Sequence, residues 1–228
     1  MIYFEWGKNG LLSLVDKVDV LIIVDVLSFS TCVDIAVGRG ALVYPFSFKD
    51  DRATNYAKEL QAELAYKRGE SKYSLSPESL LDIPDKTKLV LPSPNGSELS
   101  TLITSMPLFT ACLRNAKAIA LQASVLSNKI GVIAAGEKWE DNSIRFAIED
   151  MLGAGAVISC FDNELSIEAK SAKLVFDSNV DIIEDVLLRS VSGQELVDRG
   201  YRGDVIIASE VNVSGVAPIL INGAFVQS

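Results

Sequence analysis

Through Val20–Val24 the chain runs over five aliphatic residues without a polar interruption, VLIIV, and then meets Asp25. A strand this uniformly apolar must be covered on both faces, as in a central parallel strand with helices above and below it. A polar turn and a short apolar helix follow, closing on Gly38, Arg39 and Gly40, a glycine-ended helix stop. Such a unit commits the chain to an α/β fold and places Asp25 at the carboxyl end of its strand, where open α/β sheets bind ligands. Ser28, Ser30 and Thr31 open the helix, and a helix N-terminus offers free N–H groups to an anion. Asp25 and the turn at 28–31 are therefore expected to form half of an active site for a small phosphorylated anion.

The pattern beyond this unit keeps alternating. Strands are expected at 2–6 (an aromatic-rich edge), 41–46, 88–91, 108–111, 130–135, 156–160, 205–209 and 218–221. Pro45 places the strand at 41–46 near an edge or at its end. Residues 7–10 read as a turn, and Asn222-Gly223 as a hairpin turn. Asp50 or Asp51 caps a helix running to Lys67, with Lys49, Lys58 and Glu59 off its apolar stripe. Further helices are expected at 97–104 and 114–123. Another carries Ile144, Ala147, Ile148, Met151 and Leu152 on one face and closes at Gly153. The stretch 166–199 is helical with breaks near 178–179 and 192–193. The polar loop 69–84, GESKYSLSPESLLDIP, interrupts the regularity, and a loop of that length is more often functional than idle.

The chain has 228 residues, no histidine and a net charge of −9, with a pI of about 4.6. That acidity disfavours nucleic acid and membrane surfaces as partners. The missing histidine removes Ser-His-Asp and Cys-His activation and imidazole metal ligation, leaving carboxylates, hydroxyls, Lys, Arg or a hard metal held by oxygen. Cys32, Cys112 and Cys160 are scattered in apolar contexts, as free thiols in a reducing compartment would be. No apolar run reaches membrane-span length and the start shows no signal segment, so the expected location is cytoplasmic.

Two stretches echo each other: VDIAVGRGALVYPF at 33–46 and IEDMLGAGAVISCF at 148–161. Each follows an aliphatic strand and a polar loop, which fits an internal duplication of two similar halves, and equally fits two unrelated units that both need a glycine cap. If duplicated, the halves bring Asp25 to face Glu140, Asp141, Glu149 or Asp150.

The motif series VDVLSFST (24–31), Gly69-Glu70, Ser76-Pro77, SPNGS (93–97), CLRNA (112–116), AAGE with AIEDMLGAGAV (134–157) and GYRGDVIIAS (200–209) resembles the 2-phosphosulfolactate phosphatase family. The resemblance spans most of the chain in order. It implies a three-layer α/β/α fold with a mostly parallel or mixed sheet, and 1–228 as one phosphatase-like domain, with 1–125 and 126–228 as candidate subdomains. It also implies Mg²⁺ dependence, hydrolysis of a phosphate monoester on a small sulfonated hydroxy acid, and a place in coenzyme M biosynthesis. The family pattern has Arg where this chain has Ser28, a small residue at Phe29 and Asn at Leu75. A serine cannot reproduce the charged bidentate fork of an arginine.

Asp25 is the strongest candidate catalytic residue: it could ligate Mg²⁺, orient the attacking water or attack phosphorus itself. The haloacid-dehalogenase pattern D-x-D does not apply, because the sequence reads Asp25-Val26-Leu27-Ser28. Ser28, Ser30, Thr31, Asn95, Gly96 and Ser97 sit at strand-to-helix turns and are candidates for anion binding, with helix capping as the alternative. Arg114 and Asn115 are candidates for the compensating cation and its neighbour. Glu149 and Asp150 point about 100° apart on a helix, and Glu149 stands four residues after Arg145 with ion-pair spacing. The resemblance marks both carboxylates for metal or water handling. Glu70, in the long loop, is a third carboxylate that could close over substrate. The expected partner is a small phosphorylated anion, with a homo-oligomer left open. The rival reading is a relative that binds a small anion with little or no turnover.

Overall fold

The structure is a computed structural model that describes residues 1–47, 50–103 and 105–228. Lys49 and the expected helix end at Thr104 lie outside the described residues. In chain order the elements are β1 (Ile2–Trp6), α1 (Gly7–Leu14), β2 (Val20–Val24), α2 (Phe29–Gly38), β3 (Leu42–Phe46), α3 (Asp51–Leu60), β4 (Glu63–Leu64), β5 (Lys88–Pro92) and α4 (Gly96–Leu102). Then come β6 (Leu108–Ala111), α5 (Ala116–Leu126), β7 (Ile130–Ala134), β8 (Glu137–Lys138), β9 (Ile144–Arg145), α6 (Ile148–Ser159), α7 (Ile167–Asp177), α8 (Ile183–Arg189), α9 (Val191–Asp198), α10 (Arg202–Ser209), β10 (Pro218–Ile221) and β11 (Ala224–Gln227).

One nine-stranded sheet runs in the order β1-β7-β2-β6-β10-β11-β3-β5-β4. The first four strands are mutually parallel, as are β3, β5 and β4. The β10–β11 hairpin lies between these blocks and is antiparallel to both neighbours. The two blocks therefore run in opposite directions, and α2 and α4 belong to the connections that cross from one to the other.

Side chains of β2 alternate between two cores, as a doubly covered strand requires. Val20, Ile22 and Val24 pack with residues of α5, α6 and α7, while Leu21 and Ile23 pack with Leu11 of α1 and with Phe29 and Val33 of α2. This is the three-layer α/β/α arrangement. As expected, β1 is an edge strand, Asp50 caps α3 by accepting from the Arg52 N–H, and Asn222 and Gly223, both at positive φ, turn the last hairpin. Pro45 lies in an interior strand, two residues beyond the Val43–Phe225 pairing with β11.

Several expectations are corrected. The turn at 7–10 is the start of α1. The helix expected to reach Lys67 stops at Leu60, where Gln61 turns left-handed before β4. The stretch 205–209 is the end of α10 rather than a strand; a five-residue apolar run cannot distinguish a strand from a buried helix. The break expected at 192–193 falls at Ser190, which caps α9 through the Gly193 N–H. The expected strand at 156–160 is helical, because α6 continues through Gly153 to Ser159. A Cβ on Gly153 would come within 2.6 Å of Val26, and one on Gly155 within 2.3 Å of the Ala172 carbonyl. These glycines let α6 press onto β2 and α7, whereas Gly40 in the first echo is a positive-φ turn residue. The same letters do different work in the two stretches, so the echo does not carry a structural repeat there.

Candidate active site

Asp25 follows β2 directly, and its carboxylate joins the starts of both crossing helices. Its Oδ1 accepts from the Phe29 N–H at 3.3 Å, opening α2. Its Oδ2 accepts from the Gly96 N–H at 2.7 Å, opening α4, and from the Ser93 hydroxyl at 3.5 Å. Two helix N-termini, each carrying partial positive charge, thus converge on one carboxylate. The approach depends on Gly96: a Cβ there would stand 2.3 Å from the Phe29 ring and 2.7 Å from the Asp25 carboxylate.

Most of the hydroxyls expected to hold an anion are engaged in holding these turns. Ser30 Oγ accepts from the Asp25 N–H and shares a hydrogen bond with Thr110. Thr31 donates to the Val26 carbonyl and Ser97 to the Leu91 carbonyl. Ser28 differs, because it lines a cleft of about 190 Å³ together with Asp25, Ser93, Asn95, Glu137 and Arg199. Its hydroxyl accepts from Arg68 Nη2 at 2.9 Å, and Arg68 is itself held by fully buried Asp204 at 3.0 Å.

Three further carboxylates lie near enough to Asp25 or to one another to feel each other's charge. Glu137, in the hairpin β8–β9, lies in the cleft, accepts from Asn95 Nδ2 at 2.8 Å, and is pushed up to about 7, first by burial and then by the Asp25 charge. Asp150 accepts from the Val26 N–H at 2.7 Å and the Gly136 N–H at 2.9 Å, pinning the ends of β2 and β7 together. Burial, then the Asp25 and Glu149 charges, raise its carboxyl above the usual range. Glu149 is buried, hydrogen-bonded to Ser192, and also raised, chiefly by burial. Arg145 pairs with Glu195 at 3.6 Å instead of forming the ion pair expected with Glu149. Glu140 and Asp141 sit exposed at the hairpin tip, so the residue of that loop that reaches the cleft is Glu137.

The remaining candidates lie elsewhere. Glu70 is exposed and lines a separate depression with Lys67 and Arg68. Arg114 is bound to Asp34 at 3.0 Å and to Glu210, and Asn115 accepts from the Cys112 N–H at 2.9 Å. Arg114 braces the end of β6 against α2 and α10, and Asn115 closes the turn after β6.

Sequence reasoning passed over Glu137, Arg68 and Arg199. The signal for Glu137 was its position at the base of a short hairpin, where alternate residues face one side. Arg68 touches Ser28 from the loop after β4, and Arg199 lines the cleft from the end of α9; no periodicity marks either.

The residues fit a hard divalent cation in one respect: among the described residues the buried Asn95 Oδ1 has no hydrogen-bond partner, and it belongs to a side chain that lines the same cleft as Asp25 and Glu137. Among the described residues no three acidic, His or Cys side chains converge as a ready-made ligand set. Mg²⁺ asks for less, since it commonly takes one or two carboxylates and completes its shell with water and substrate phosphate.

Residues 11–223 match the family described as 2-phosphosulpholactate phosphatase. The chain is similar to the 2-phosphosulfolactate phosphatase of Methanothermobacter thermautotrophicus, with 29% identity over 204 residues, 89% of this chain and 87% of the relative. It is similar also to the probable 2-phosphosulfolactate phosphatase of Pseudothermotoga lettingae, with 26% identity over 223 residues, 93% of this chain and 94% of the relative. With that of Carboxydothermus hydrogenoformans it shares 28% over 207 residues, 87% of this chain and 84% of the relative.

Proposed function

The chain belongs to the 2-phosphosulpholactate phosphatase family and is an enzyme, and from that premise we propose that it hydrolyses the phosphate monoester of a small acidic metabolite, 2-phosphosulfolactate or a close phospho-acid. The observation that carries this reading is the meeting of the α2 and α4 N-termini at Asp25, beside a cleft. Backbone N–H groups at the two turns would hold the equatorial phosphate oxygens, where charge spreads in a loose transition state. The Asp25 carboxylate would orient the attacking water in line with the ester oxygen.

The reading includes Mg²⁺. Asp25, Glu137 and the Asn95 Oδ1 would hold it, and when bound it supplies charge neutralisation at the phosphate. Glu149 and Asp150 would act from behind, Asp150 by fixing the ends of β2 and β7 through its two N–H bonds. A cytoplasmic setting fits the three cysteines, none of which forms a disulfide. Among the described residues, no helix is long and apolar enough to cross a membrane.

The test is phosphate release from synthetic 2-phosphosulfolactate, with and without EDTA, for the wild type and Asp25→Asn. The expected result is turnover that EDTA abolishes and that the substitution lowers at least about 100-fold, the scale of losing a group engaged in the transition state. Undiminished turnover in EDTA removes the metal from the mechanism. Binding without turnover favours a non-catalytic relative, a reading to which Ser28 lends weight because it stands where the family pattern has arginine.

A further inference from the structure

The cleft beside Asp25 is chemically uneven. Besides its carboxylates, the cleft is lined by the apolar side chains Leu27, Leu75 and Leu196 and by Arg199. Arg199 caps α9 with its backbone N–H on the Val197 carbonyl, so its side chain projects from a helix end. That side chain is exposed and enters no ion pair among the described residues. The other guanidinium groups near the site are engaged: Arg68 by Asp204, Arg145 by Glu195 and Arg114 by Asp34. In particular, Glu195, which lines the cleft with Arg199 alongside Asp25 and Glu137, is already paired with Arg145. Arg199 therefore brings an uncommitted positive charge to a cleft otherwise lined with acid.

Ser28 stands in the same cleft, buried yet lining it. Arg68 Nη2 donates to its oxygen at 2.9 Å. A hydroxyl that accepts a charge-assisted bond keeps its own proton to give, and an anion is the natural receiver. The chain Asp204–Arg68–Ser28 fixes that donor, since Asp204 also accepts from Ser76 at 2.6 Å and from the Glu78 N–H at 3.1 Å.

We infer that Arg199 and the Ser28 hydroxyl together bind a second acid group of the substrate, a sulfonate or carboxylate carried on a short apolar stem beside the phosphate ester. The inference rests on the phosphatase reading above for the position of the phosphate at Asp25, and extends it by assigning the residues that select the acid. Leu75 and Leu196 pack against the stem. Arg68 is a positioning residue, acting through Ser28. At about 190 Å³ the cleft is smaller than one built for drug-sized ligands and suits a small diacid.

The experiment compares two substrates, 2-phosphosulfolactate and phenyl phosphate, which lacks the acid group, in the wild type, Arg199→Gln, Arg199→Lys and Ser28→Ala. The quantity read is the ratio of kcat/KM for the two. Arg199→Gln is expected to lower that ratio about ten- to a hundred-fold, the scale of one charged hydrogen bond, through KM on the acid substrate. Arg199→Lys should recover part of it, and Ser28→Ala should lower it less. A ratio unchanged in Arg199→Gln overturns the inference while leaving the phosphatase reading intact. If the wild type hydrolyses neither ester, the phosphatase reading fails on its own. The subsite is then judged by thermal shift with sulfolactate: a shift seen in the wild type and lost in Arg199→Gln supports it, and any other pattern overturns it.

Discussion

The Oδ2 atom of Asp25 lies 2.7 Å from the amide nitrogen of Gly96, across 71 positions of sequence. That contact joins the carboxyl ends of two strands from oppositely directed blocks, because Asp25 follows β2 and Gly96 comes shortly after β5. The sheet can bring those ends together only if the helices that leave them start side by side. The contact therefore tests the fold and the site at once. Gly96→Ala forces a methyl group against the Phe29 ring and the Asp25 carboxylate, at a cost of about 1–3 kcal/mol, typical of overpacking. Chemical denaturation should show that loss, and turnover should fall with it. An alanine variant as stable and active as the wild type would show that the helix starts can separate freely.

Asp25 has a structural role beside the chemical one proposed for it, and the two can be separated. Asp25→Asn keeps one acceptor oxygen for the helix N–H groups and removes the charge, whereas Asp25→Ala removes both. Each lost cap is worth about 0.5–2 kcal/mol, so the alanine variant should melt distinctly lower than the asparagine variant. Both should be catalytically dead. Equal melting temperatures for the two variants would deny the capping role.

Glu137 gives stability a pH dependence of known sign. Its carboxyl is pushed up to about 7 in the folded chain, first by burial and next by the Asp25 charge, from an ordinary value of 4.5. Between those values the folded state holds more proton than the unfolded state, so this group lowers stability as pH rises through that window, with no further change above it. Glu137→Gln keeps an acceptor for Asn95 and removes the titration. In EDTA the variant should gain on the wild type from pH 5 to pH 8, by up to about 3 kcal/mol before solvent screening. A gap that stays constant over this range would contradict the assignment. Added Mg²⁺ should narrow the gap at pH 8 by stabilising the ionised wild type.

Arg68 already occupies the surroundings of Ser28, which makes a simple return to the family's arginine unfavourable. Ser28 is only 1% exposed and is contacted by a guanidinium held on a buried carboxylate. Ser28→Arg should destabilise the protein by about 2 kcal/mol or more, through overpacking and like charge. The same change combined with Arg68→Ala should recover part of that loss. Thermal melts of the three variants decide the matter: additive losses would place the two side chains apart.

The chain's strand and helix pattern made the α/β class legible because β2 is apolar on both faces and ends abruptly in a carboxylate. The place of Asp25 at the end of that strand was legible for the same reason. The short, mostly apolar runs at 156–160 and 205–209 misled, since such a run looks alike in a strand and in a helix pressed onto a sheet. Gly153 and Gly155 were read as punctuation although they serve close packing, a distinction that depends on neighbours far away in sequence. The hydroxyls of Ser30, Thr31 and Ser97 had the right positions at the turns, but they face inward, Ser30 to Thr110 and the other two to backbone carbonyls. Arg68, in the loop after β4, and Arg199, at the end of α9, carry no local signal at all. Arg68 reaches Ser28 held by Asp204 of α10, and Arg199 lines the cleft where α9 ends.

The hairpin of β10 and β11 has a consequence for how the molecule is made. Its strands are near the end of the chain, yet they lie in the middle of the sheet, joined to β6 on one side and β3 on the other. Until residues 218–227 have emerged from the ribosome, each block is a separate nascent layer with an open edge, and the blocks lack their shared seam. Pairings this distant in sequence close late and slowly. Residues 218–227 must therefore be made before the seam forms, and with it the continuous sheet on which the meeting of Asp25 and Gly96 is built.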